Sequence, residues 1–171
     1  MKLTFNPRLS ANRPSFSVRL LLKAAPLAVV ASTLLLQASA QAADHCEVTV
    51  EATDAMSYNV KEIAVPKACA SFAIRLKHTG TMAKNIMGHN LVISKQADEQ
   101  GVLQDGMKAG IAKSFVKPQD SRVLAATQVI GGGESAETSL TPKQLDVSAS
   151  YVFFCSFPGH ASMMKGTLKL I

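Results

Sequence analysis

One short stretch of the chain concentrates three kinds of metal donor: Phe153-Phe154-Cys155-Ser156-Phe157-Pro158-Gly159-His160-Ala161-Ser162-Met163-Met164-Lys165-Gly166. The thiol of Cys155 is followed after four residues by the imidazole of His160, and after three more by the thioether of Met164. A strand end followed by a tight Pro158-Gly159 turn folds such donors back toward one point. Upstream, Met87-Gly88-His89-Asn90 leads into another strand and offers a second imidazole from an adjacent loop. Two imidazoles and one thiolate in a plane, with a weak and distant thioether, form the ligand set of a blue-copper electron-transfer site. The soft thiolate suits Cu(I) and the imidazoles suit Cu(II), so a site offering both changes little as an electron passes. Copper would also hold the thiol deprotonated.

Each residue has a plainer reading on its own. Met164 is then core filler, His89 a hydrogen-bonded strand-edge histidine, and Cys155 an inert buried thiol. Their joint occurrence favours the metal. Of the other two histidines, His45 reads as an exposed residue and His78, in Lys77-His78-Thr79-Gly80, as a structural one at a strand end.

The elements that must position these donors read as β-strands. From Cys46 onward, β-rich runs alternate with turn residues: Val48 to Val50, Ile63 to Val65, Ser71 to Lys77, Asn90 to Ser94, Ser121 to Ile130, Tyr151 to Cys155 and Gly166 to Ile171. Such spacing predicts an all-β sandwich or barrel. In one run Phe72, Ile74 and Leu76 point one way and Arg75 and Lys77 the other, which places the core on the first side. Ala97 to Ala112 breaks the pattern with apolar residues at helical intervals, a short helical insertion on the outside of the sandwich. Gly131-Gly132-Gly133-Glu134 is a turn and not a phosphate loop, since no Gly-x-x-x-x-Gly-Lys-Ser/Thr pattern accompanies it. The chain reads as one domain, 41–171, behind a leader.

The leader, residues 1–40, has the form of a cleaved export signal: Lys2, Arg8, Arg13, Arg19 and Lys23, then an apolar stretch from Ala24 to Leu36, then Ala38-Ser39-Ala40 as the cleavage site. Cleavage after Ala42 fits nearly as well. The apolar stretch is shorter than the roughly 20 residues a membrane-spanning helix needs. The whole chain carries 18 basic and 12 acidic residues, but five of the basic ones lie in the leader. A mature chain near neutrality has no dense basic run, which removes the basis for nucleic-acid binding.

Export implies a disulfide-permissive compartment, and three cysteines leave one thiol over. Cys46 and Cys69 stand in ordinary strand-and-turn contexts near the mature N-terminus and are read as a pair, the alternative being two buried free thiols. Closing that loop would contribute about 3 kcal/mol in the chain-entropy picture. Cys155 remains for chemistry.

With these residues assembled, the mature chain resembles the azurins, small blue-copper cupredoxins of the bacterial periplasm. The likeness covers essentially all of it, including Asn85-Ile86-Met87-Gly88-His89-Asn90, Asp120-Ser121-Arg122-Val123, Gly131 to Glu134 and Phe153 through Gly166. The resemblance implies a Greek-key β-sandwich of eight strands with a helical flap, the Cys46 to Cys69 disulfide, and one type 1 copper per chain. It implies His89, Cys155 and His160 as strong ligands, Met164 as the weak axial ligand, and the Gly88 carbonyl as a second weak axial contact. Asn90 and the Phe157 backbone amide would pin the ligand loops and hydrogen-bond the Cys155 sulfur. An apolar docking patch around His160 would comprise Met56, Met82, Met87, Met107, Phe157, Pro158 and Met163, flexible thioethers suiting transient partners. The chain departs from the family in having no Trp, with Leu91 where many azurins bury one.

The donor set and the resemblance together imply a periplasmic electron shuttle and not an enzyme. The expected form is a monomer that docks transiently on redox proteins such as a cytochrome c or a reductase, without membrane insertion after cleavage. Copper storage or delivery is the alternative, and buried preorganised ligands argue against it. A copper enzyme of the nitrite-reductase kind would need a second copper with an open position and a two-domain chain.

Overall fold

Alternation decides which way each strand faces. In β4 (Phe72–His78), Phe72, Ile74, Leu76 and His78 are buried while Arg75 and Lys77 face water. The computed structural model describes residues 45–171, so the expected leader lies outside the described residues. Nine strands are described: β1 (Glu47–Thr53), β2 (Ser57–Tyr58), β3 (Glu62–Val65), β4, β5 (Val92–Lys95), β6 (Val123–Ala126), β7 (Ser135–Leu140), β8 (Tyr151–Phe154) and β9 (Lys165–Leu170).

They form two sheets, ordered β2-β1-β4-β7 and β3-β9-β8-β5-β6. Pairing is mixed: β1 runs parallel to β4 and β3 parallel to β9, the remaining neighbours being antiparallel. The inner faces meet in one core that includes Val50, Phe72, Ile74, Leu76, Leu91, Ile93, Phe153, Cys155, Met164 and Leu168. This is the cupredoxin sandwich that the resemblance implies, with the two-residue β2 as a short return alongside β1.

Two regions depart from the expected runs. The run from Ser121 to Ile130 is strand only over Val123–Ala126, because Ile130 leaves the sheet to exchange both backbone hydrogen bonds with His89. β7 has no counterpart among the expected runs: its sequence, Ser-Ala-Glu-Thr-Ser-Leu, buries only Leu140 fully. An edge strand that pairs with β4 needs little apolar signal of its own.

A four-residue helix, α1 (Lys84–Met87), precedes the His89 loop. The helical insertion consists of a 3-10 turn at Gln96–Asp98, α2 (Glu99–Ala109) and a second 3-10 turn at Ile111–Lys113. Val102 of α2 packs with Val92, Val152 and Phe154 on the outer face of the second sheet. That cover explains why all four residues of β8 are buried and the strand reads as a continuous apolar run. Gly106 permits the close approach of the returning chain, since a Cβ there would collide with the Phe115 carbonyl oxygen. Arg122 ties the insertion down, donating from Nη2 to Asp105 at 2.7 Å and to Asp120 at 2.6 Å.

Cys46 and Cys69 are bonded, fastening the start of β1 to the turn that leads into β4. With a sequence separation of 23 between the paired positions, the Cys46→Ala/Cys69→Ala protein is expected to lose about 3 kcal/mol of stability. Thermal unfolding of the metal-free protein should show a melting temperature lower by roughly 10 °C.

Candidate metal centre

The sandwich brings together side chains from two distant loops. His89 lies just before β5, held by the two backbone bonds to Ile130. Cys155 and His160 lie on the connection from β8 to β9. That connection folds back through hydrogen bonds from the Cys155 amide to the Met164 carbonyl at 2.9 Å and from the Met164 amide to the His160 carbonyl at 2.8 Å. Gly88 lets the His89 loop seat tightly: a Cβ there would collide with the Lys84 carbonyl oxygen and meet a Val129 methyl at 2.6 Å.

The donor atoms converge. His89 Nδ1 lies 3.2 Å from His160 Nδ1, and Cys155 Sγ lies 3.7 Å from His160 Nδ1. All three residues are buried and their ligand atoms fall within 4.8 Å of one another. Three donors each about 2.0 to 2.3 Å from one ion would show separations of this size. The tautomer of His89 agrees. His89 Nε2 sits 3.0 Å from the Thr53 carbonyl, which can only accept, so Nε2 carries the proton and Nδ1 presents a lone pair toward His160. A cation between the two rings would take the His89 Nδ1 lone pair directly, together with that of His160 Nδ1 once this nitrogen is unprotonated. The set of two nitrogens and one soft sulfur is that of copper.

Electrostatics suit a cation as well. Burial lowers the His89 pKa to about 4, with His78 and His160 pushing the same way and the Thr53 carbonyl opposing; burial also lowers that of His160. Both imidazoles are therefore neutral donors near pH 7. Burial pushes the Cys155 thiol up to about 11, against the pull of the Asn90 and Phe157 backbone N–H groups and the Tyr58 hydroxyl. Those three groups favour the thiolate, and a bound cation would complete the deprotonation.

Asn90 knits the loops together. Its Nδ2 donates to the Ser114 carbonyl and to Ser156 Oγ, both at 2.8 Å, and its Oδ1 accepts from the Ser156 amide at 2.8 Å. Ser114 is held with positive φ, 54°, and its Oγ accepts from the Val129 amide at 3.0 Å. Behind His89, the buried His78 ring stacks at a centroid distance of 4.6 Å, with Asp54 Oδ1 3.7 Å from its Nε2. Met164 is fully buried in the core that contains Cys155.

The residues expected at the docking patch take varied positions. Met82, Met107, Pro158 and Met163 are exposed, while Met56, Met87 and Phe157 are half-buried. Phe157 packs on His160, with ring centroids 4.7 Å apart. Met107 and Leu103 of α2 join Phe157 and Pro158 in lining a cleft of about 230 Å³. His160 itself is 4% exposed, its ring just beneath this surface. Thr53, Tyr58, Ser114 and Ser156 also reach the site, although sequence reasoning does not single them out. Ser156 alone has a signal, its place beside Cys155.

Comparison with known proteins agrees with this geometry. The chain is 52% identical over 150 residues to an azurin of Achromobacter denitrificans, covering 88% of this chain and 99% of the relative. It is 58% identical over 125 residues to azurin-2 of Alcaligenes xylosoxydans xylosoxydans, covering 73% and 97%. Among solved structures, the azurin Az-iso2 of the obligate methylotroph Methylomonas sp. strain J superposes with a TM-score of 0.72 at 46% identity, covering 74% of this chain and 98% of the other. The family model for copper-binding proteins of the plastocyanin/azurin type matches residues 44–171. A buried cluster of two imidazoles and one thiol, with the His89 tautomer locked by Thr53, on a fold and sequence shared with these relatives, makes the chain a member of the plastocyanin/azurin family of copper-binding proteins.

Proposed function

We propose that His89, Cys155 and His160 hold the copper of this blue-copper electron-transfer protein, with Met164 and the Gly88 carbonyl as weak axial contacts. Bound copper supplies the one-electron couple between Cu(II) and Cu(I). The chain's own residues keep that couple in one geometry. Thr53 fixes the His89 ring, Asn90 locks the two ligand loops, and the N–H groups of Asn90 and Phe157 support the Cys155 sulfur. A closed, buried ligand set leaves no position for a substrate, which favours a carrier over an enzyme. It also favours electron transfer over copper delivery, which needs ligands that exchange readily.

The observation that carries the reading is the convergence of His89 Nδ1, His160 Nδ1 and Cys155 Sγ under the Thr53 lock. Its setting is the periplasm, supported by the leader pattern of residues 1–40 and the Cys46 to Cys69 bond. The working chain is a monomer that docks transiently on periplasmic redox proteins, a cytochrome c or a reductase. Contact runs through Phe157, Pro158 and the methionines Met56, Met82, Met87, Met107 and Met163, and the electron passes through His160.

Adding Cu(II) to the metal-free chain from Gln41 onward is expected to give an intense blue absorption band and a small copper hyperfine splitting in paramagnetic resonance. A pale, ordinary Cu(II) spectrum would overturn the ligand assignment.

A further inference from the structure

A single hairpin grips two consecutive residues of the His89 loop. β1 and β2 turn back through Met56, whose φ is 53°, pairing Ala52 with Tyr58 and Thr53 with Ser57. From one side of this hairpin the Thr53 carbonyl accepts from the His89 ring. From the other, the Tyr58 hydroxyl donates to the Asn90 carbonyl in a buried hydrogen bond. The Tyr58 ring is itself held, tilted on Phe153 at a centroid distance of 5.6 Å. Its hydroxyl also acts on the Cys155 sulfur, where it favours the thiolate. The phenolic proton is thus held by the Asn90 carbonyl oxygen, in a position that also favours the thiolate of Cys155.

We infer that Tyr58 is a positioning residue of the metal centre, whose hydroxyl orients the Asn90 backbone toward the Cys155 sulfur and raises the reduction potential. The inference rests on the ligand assignment above. One-electron reduction adds negative charge to the site, and the thiolate carries part of it. Donor dipoles aimed at the sulfur therefore stabilise the reduced state more than the oxidised one. Losing the hydroxyl removes its dipole from beside the sulfur and loosens residue 90, whose N–H, on the peptide preceding the released carbonyl, faces the sulfur. Both effects lower the potential. Both also raise the energy of the sulfur donor orbital, which moves the thiolate-to-metal absorption to longer wavelength.

The test is Tyr58→Phe in the copper-loaded protein, read by midpoint potential and by the position of the visible band. The ratio of reduced to oxidised protein at a fixed electrode potential is expected to fall threefold or more, a tenfold fall being about 59 mV for one electron. The band is expected to move to longer wavelength. An unchanged potential and band, with or without a lower melting temperature, would mean that Tyr58 only packs and would overturn the inference, as would a rise in potential. Incorporating 3-fluorotyrosine in a Tyr151→Phe background provides a second reading that keeps the ring in place. The oxygen of Tyr151 is engaged elsewhere, accepting from the Asp146 amide at 2.7 Å. The more acidic phenol donates more strongly, so the potential should rise; no rise overturns the role. A wild-type protein that binds copper without a blue band would instead overturn the ligand assignment, and the two failures are told apart by that control.

Discussion

A Cys155→Ser protein is expected to fold and to show no intense blue band. The reason lies in how little space changes and how much chemistry does. Serine nearly fills the volume of the cysteine, and the N–H groups of Asn90 and Phe157 and the Tyr58 hydroxyl that face the sulfur can face a hydroxyl instead. Its burial is then compensated by hydrogen bonds, and the metal-free stability should change by no more than about 1 to 2 kcal/mol. A serine hydroxyl stays protonated and is a hard donor, so the strong sulfur-to-copper transition has no origin and Cu(I) loses its soft ligand. Any Cu(II) retained by His89 and His160 should give a pale spectrum with a large hyperfine splitting, and the protein should no longer cycle reversibly at an electrode. Absorption, paramagnetic resonance and thermal unfolding of the variant beside the wild type check each part. A blue band surviving in the variant would remove Cys155 from the site.

Replacing Asn90 by alanine should cost much of the protein's stability, although the residue does not touch the metal. The side chain is fully buried and makes three hydrogen bonds of 2.8 Å, to the Ser114 carbonyl, Ser156 Oγ and the Ser156 amide. Alanine leaves the Ser156 amide without its acceptor and the Ser114 carbonyl with only a longer contact from Ser156 Oγ, at 3.4 Å. Buried polar groups stranded in this way cost about 1 to 3 kcal/mol each, so a loss of about 3 kcal/mol or more is expected. That is a large share of a typical domain's stability. Asn90→Asp should be no better, since it restores the acceptor for Ser156 but sets a carboxylate against the Ser114 carbonyl in place of a donor. The ligand loops on either side of this lock carry His89 and Cys155, so copper release should also accelerate. Denaturant unfolding of the metal-free protein and competition with a copper chelator measure the two consequences separately. Equal stability and equal release would show that the loops hold their geometry without the lock.

Much of the site was legible before any tertiary structure. The donors Cys155, His160 and Met164 stand within ten positions of one another, a spacing visible in the chain itself. The inward face of β4 follows from alternation, because side chains on a strand point to opposite sides in turn. The helical insertion follows from apolar residues at helical intervals, and the bond between Cys46 and Cys69 from their contexts and from the place of Cys155. All of these are local patterns, or pairings with few alternatives.

Other features belong to the packing of the two sheets. β7 is polar and buries one residue fully, so its place at the sheet edge is decided by the open hydrogen-bonding groups of β4 and not by its own composition. The meeting of His89 with His160 joins residues 71 positions apart, and the Asn90 lock joins residues 24 and 66 positions apart. Thr53 and Ser114 act through backbone carbonyls, which every residue possesses, so no side-chain type announces them. Tyr58 looks like any strand aromatic until the β1 and β2 hairpin carries its hydroxyl to Asn90. The sequence by itself determined which donors exist and which faces are apolar. Only the tertiary structure decided which lone pairs point at one another, because that depends on where two sheets place loops that are far apart along the chain.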